Sequence, residues 1–185
     1  MRQFNALASP IRGEIIDVID LLGPLTIAEV ASVLGRPADS LYYHVRKLVD
    51  VGLVLERGAR KTPGRQSAVY DVPGSSMPLR YSHNQRAHVQ ALVRSIAGML
   101  RLAERDFRAA FGAKLVRSSG KRRNVVHSRA LGWYTDEEIR SMHARIQDVI
   151  AEFRGSARDR GRGKKLYALT TVLVPLEDRG RQDAP

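Results

Sequence analysis

Three glycines, at 23, 35 and 52, each close a run in which apolar residues recur three and four positions apart. That punctuation limits what this chain can fold into more than any other feature. The first run opens at Ser9, which can cap a helix, and at Pro10, whose fixed φ suits the first helical position; Ile11, Ile15, Val18, Ile19 and Leu22 then share one face. In the second, Thr26 caps a helix through Leu34, and Glu29 three residues later completes a capping box, with Ile27, Val30, Ala31 and Leu34 turned inward. Pro37 opens the third, whose buried stripe is Leu41, Val45, Leu48 and Val49, although Asp39 could serve as its cap.

Two short β-type runs follow, LVLER at 53–57 and SAVYDV at 67–72, separated by GARKTPGRQ at 58–66. Helix, short helix, turn, helix and basic-tipped hairpin is the order of a winged helix-turn-helix, in which the third helix enters a major groove and the hairpin reaches neighbouring backbone. The segment 71–80, DVPGSSMPLR, has the composition of a connection. It divides the chain into a DNA-binding unit at 1–75 and a second unit at 76–185.

The third helix and the hairpin hold the candidate site. Arg36, Asp39, Ser40, Tyr42, Tyr43, His44, Arg46 and Lys47 lie at or beside the outer face of that helix, and Arg57, Arg60, Lys61 and Arg65 crowd the hairpin with no acid between them. Ser40 can donate to or accept from a base edge, Tyr43 can bond a phosphate or pack on a thymine methyl, and the cations can neutralise phosphates, which positions a protein without specifying sequence. The competing roles are ordinary ones: either tyrosine can pack against the first helix, and a basic loop can serve solubility alone.

The stretch from ALASPIRGEIIDVI through LTIAEVASVLGRPADSLYYHVRKLVDVGLV to AVYDV, roughly residues 5–73, resembles an ArsR-type winged-helix repressor. LYYHVRKLVDVGLV at 41–54 carries most of the likeness, with Leu41, Val45, Leu48, Gly52, Leu53 and Val54 as framework, and Tyr42 stands where the family has a small hydroxyl residue. The resemblance implies a homodimeric repressor on a pseudo-palindromic double-stranded DNA operator. Some members of that family sense metals through cysteines or His and Asp clusters. This chain has no cysteine, and its histidines at 44, 83, 88, 127 and 143 include no i, i+4 pair, so neither metal nor cofactor is expected.

From 82 to 111, Val89, Val93, Ile96, Leu100, Ala103, Phe107 and Ala110 repeat with four-three spacing. Such a seam calls for a second helix, most simply its copy in another subunit. Leu92 and Met99 widen it enough for the helix to rest on its own chain as well. An appendage at 124–176 follows, with strand character at 124–135, a helix at 135–154 capped by Thr135 and Glu138, and strand character again at 165–176. The helix's inward face is Ile139, Met142, Ile146, Val149, Ile150 and Phe153. The fold class is therefore mainly α, in the α+β sense, with a small strand-helix-strand unit at its end, loosely similar to the C-terminal appendage of certain ArsR-type regulators. Trp133, Tyr134 and Tyr167 could line a pocket for a small-molecule effector, or could be core.

Charge decides the partner class. Thirty-one Lys and Arg against 19 Asp and Glu leave a net charge of +12, concentrated beyond residue 80. The cations at 114–129 could follow DNA phosphates or keep the protein in solution. No apolar stretch is long enough to span a membrane, and the absence of cysteine agrees with the cytoplasm. Neither a P-loop nor a nucleophile elbow, HExxH or dinucleotide fingerprint is present, and Glu137 and Glu138 suit a helix's first turn, so an enzyme is not expected. A winged-helix scaffold that binds protein is the alternative to a DNA-binding regulator.

Overall fold

The computed structural model describes residues 2–62, 65–74, 86–155 and 161–178. The hairpin tip at 63–64, most of the connection at 71–80, the start of the long helix at 82–85 and part of the basic stretch at 154–165 lie outside them, as does the side chain of Arg65.

The three punctuated runs form helices: α2 at Pro10–Leu22, α3 at Ile27–Leu34 and α4 at Asp39–Val49. Short α1, Arg2–Leu7, precedes them. Thr26 and Glu29 form the expected capping box: the Glu29 amide donates to Thr26 Oγ1 at 3.3 Å, and the Thr26 amide donates to Glu29 Oε2 at 2.7 Å. Ser9 precedes α2 in extended backbone, but its hydroxyl makes no capping hydrogen bond. Asp39 is the first residue of α4 rather than its cap, a place where its charge favours the helix dipole. Ile15, Ile19, Val30, Leu41, Val45, Leu48, Leu53 and Val54 close into one core with essentially no exposure.

The hairpin is longer than its apolar runs suggest. Strands β2, Leu55–Thr62, and β3, Arg65–Asp71, continue through most of the segment expected to be loop. Their antiparallel register shifts between Glu56 and Ala59, where Gly58 at φ 121° accommodates the irregularity. Two residues just before α3, Leu25–Thr26, form β1 against Tyr70 and Val69, so the sheet order is β1-β3-β2. A solvated ribbon needs backbone pairing rather than apolar alternation, so charged residues carry strand structure here that their hydropathy does not signal.

Helix α5, Arg86–Gly112, packs on α1 and α2. Contact is made by the face holding Ala91 and Gly98; a Cβ built on Gly98 would lie 2.8 Å from the Ala8 carbonyl oxygen, so only glycine permits this approach. Val89, Val93, Leu100 and Phe107 are exposed on another face, and Ile96 and Ala103 are half-buried. Helix α6, Asp136–Gly155, starts at the Thr135–Glu138 capping box as expected. Ile139, Met142, Ile146 and Ile150 are half-buried along it, whereas Val149 and Phe153 are exposed.

The strand-helix-strand expectation for 124–176 needs correction. The helix forms, but neither flanking run belongs to a strand among the described residues. Strands exist through ladder partners, and no described segment pairs with either run. Trp133, Tyr134 and Tyr167 are exposed rather than core, and they line neither of the two described cavities.

Candidate nucleic-acid interface

The burial of Leu41, Val45 and Leu48 fixes how α4 is rotated, and therefore which residues it offers to solvent. Asp39, Ser40, Tyr42, Tyr43, Arg46 and Lys47 are all exposed. Both tyrosines thus face outward instead of packing under the first helix. The Ser40 hydroxyl donates to the Pro37 carbonyl at 2.7 Å, which leaves its lone pairs as the free hydrogen-bonding capacity. Lys47 lies 5.6 Å from the Tyr43 ring centroid and 3.9 Å from Asp50. Tyr42 joins Gln66, Ser67, Ala68 and Tyr70 around a small recess between α4 and β3, about 200 Å³ in volume.

The basic residues separate into two groups. Arg60 is tied to its own domain: Nη1 reaches Glu29 Oε1 at 2.8 Å and Nη2 donates to the Pro24 carbonyl at 3.1 Å. This clamps the wing onto the capping box of α3, and the hydrogen bonds from Thr26, together with Arg60, hold the Glu29 carboxyl below its usual range. Arg36 pairs with Glu14 at 3.4 Å. Arg46, Arg57 and Lys61, by contrast, are exposed and make no ion pair among the described residues. They lie on α4 and β2, available for an external anion.

His44 is half-buried, and its Nδ1 has no hydrogen-bond partner. Burial lowers its pKa, and the charges of Arg12 and Arg36 lower it further. A neutral imidazole held in α4 fits packing better than phosphate binding. No group of three or more His, Asp or Glu residues among those described is placed to hold a metal.

Outer helix face and wing offer hydroxyl, aromatic and cationic groups on one module. Residues 7–57 match a family model described as a helix-turn-helix domain. No curated protein matches the chain. The match covers a little over a quarter of the sequence and includes α2, α3 and α4, so the helix-turn-helix domain supports a DNA-binding regulator. Within the described residues no helix is long and apolar enough to cross a membrane.

Sequence reasoning overlooked Glu14. Its carboxylate, almost buried, takes Arg36 from the α3–α4 turn and Arg105 of α5 at 2.6 Å, so one side chain joins the long helix to the entrance of α4. Nearby Asp17 is exposed by surface area, yet the atoms packed around its carboxyl remove hydration, and with the charges of Asp106, Asp20 and Glu14 they push it up to about 6, an effect eased by Arg154. An acidic residue on the polar side of an amphipathic helix carries no sign of this in its spacing.

Proposed function

We propose that this protein is a homodimeric, sequence-specific transcriptional repressor of the ArsR-like type that binds a pseudo-palindromic operator. The observation that carries the reading is the set of uncompensated cations, Arg46, Arg57 and Lys61, grouped with exposed Tyr43 and Ser40 on the helix-turn-helix domain. Each subunit would place α4 in a major groove, with Ser40 and Tyr43 at base edges and the wing cations on phosphates. The exposed Val89, Val93, Leu100 and Phe107 of α5 support pairing of two copies. The unit at 76–185, whose α5 also packs on α1 and α2, would supply that contact.

Fluorescence anisotropy over a series of salt concentrations tests this, with the DNA upstream of the protein's own gene against a shuffled duplex. Preference for the upstream fragment with steep salt dependence is the expected result. A Lys61→Ala variant should weaken binding to both duplexes alike and reduce the salt slope by about one, while Ser40→Ala should alter the preference. Absence of binding at low salt would sink the DNA reading in favour of a protein-binding scaffold.

A further inference from the structure

Two stretches flanking α6 present apolar side chains that the chain itself does not cover. Val126, Leu131 and Trp133 in the first are exposed by 83%, 67% and 82%, and Leu166 in the second by 79%. Tyr167, Leu169, Val172, Leu173, Val174 and Leu176 accompany it in solvent. No residue in 126–134 or 165–177 takes part in a hydrogen bond among the described residues. Backbone without partners is ordinary in a polar loop, but 166–176 holds no charged residue and is rich in β-branched and large apolar side chains, the composition of a strand.

Area gives the scale of what is missing. The chain exposes 14480 Å², against roughly 9,000 Å² for a compact monomer of this mass. Counting every residue outside the described set as fully extended removes about 4,000 Å², and the remainder still exposes about 2,000 Å² more than a compact body of its size. A standard interface needs roughly 800 Å² per partner.

We propose that these two arms are strands that pair with a second copy of the chain, so that each subunit completes the appendage of the other. Charge bears on where two copies could meet. Two molecules of net charge +12 repel across their basic surfaces, and 166–176 is the longest run in the sequence without a charged residue, where that repulsion is least. Continuity favours a second copy. The first arm starts against the exposed seam of α5, where His127 meets Phe107 edge-to-face at 6.0 Å, and Asn124 fixes that departure by donating to the Leu115 carbonyl and accepting from the Arg117 amide. Pro175 cannot donate to a ladder, which ends the second strand at 174.

The inference rests on the homodimer reading and adds what completes the dimer. The test is amide hydrogen exchange of the full-length protein at concentrations spanning the association transition found by sedimentation, with a Leu169→Asp/Val172→Lys variant beside it. Expected are amides of 125–134 and 166–174 that exchange slowly only in the dimer, and a variant whose dissociation constant rises about thirtyfold or more while α2–α4 still unfold cooperatively. Fast exchange of both arms within a stable dimer overturns the arm pairing and leaves the homodimer intact. Slow exchange that persists in the monomer overturns it by showing that the arms fold on their own chain. A protein that stays monomeric at all accessible concentrations overturns the homodimer and the arm pairing together.

Discussion

The two halves of this molecule solve the problem of apolar surface differently. From α1 to Val72, four helices and a small sheet enclose a core in which Ile15, Ile19, Leu41, Leu48, Leu53 and Val54 have no exposure. Beyond Gly98, no described residue is buried, although leucine, valine and aromatic residues continue. Hydrophobic composition is therefore not what separates the halves. The first contains complementary faces within about 70 residues, whereas the second, once α5 has packed its Ala91–Gly98 face on α1 and α2, leaves apolar faces uncovered among the described residues. Domains that bury their surface alone are stable at any dilution, and those that share it depend on concentration.

The largest effect that would break this contrast is a core truncation. Leu48→Ala should cost about 2–5 kcal/mol in denaturant unfolding, while Leu169→Ala in dilute monomer should change stability by less than about 0.5 kcal/mol. Equal costs would show that the second half has a closed core after all. Next in size is Gly98→Ala at the junction. The added methyl meets the Ala8 carbonyl, so α5 must move away from α1, with an expected cost of about 1–3 kcal/mol and faster amide exchange in α1. An unchanged exchange pattern would mean that the close approach is not needed.

Titration sharpens the comparison within the first half. Asp17, raised to about 6, holds its proton in the folded protein over a range in which the unfolded chain has lost it. Its contribution is present below about pH 4 and fades as pH rises through 6, and Asp17→Asn should flatten that slope. His44 acts in the opposite sense. Its depressed pKa makes the folded state resist protonation, so stability falls as pH drops below the ordinary imidazole value near 6.5, and His44→Gln should remove that loss. Stability measured from pH 4 to 8 in both variants separates the two. Within the first half, the smallest expected effect is that of Arg60→Ala. Its exposed pair with Glu29 should contribute less than about 1 kcal/mol to unfolding, with faster amide exchange in β2 as the clearer sign.

Legibility in the sequence followed the same division. Helices α2, α3, α4 and α6 could be placed from glycines, prolines and Thr-x-x-Glu boxes because those signals act within a few residues. The length of β2 could not, since charged residues such as Arg57, Arg60 and Lys61 take strand geometry only when a neighbour supplies the ladder. Residues 124–135 and 165–176 were expected as strands from composition, yet composition states a preference and pairing decides it. Within the interface, the outward face of α4 was readable from Leu41, Val45 and Leu48. The division of cations into tied and free was not, because Arg60 finds Glu29, and Arg36 finds Glu14, only after folding.

The clamp of Arg60 on Glu29 and the Pro24 carbonyl, together with the pairing of β1 to β3, ties the wing to the start of α3. If the protein binds DNA as proposed, this tie would set the distance along the duplex between what α4 touches and what the wing touches, and adding a base pair between those two contacts would break their phase.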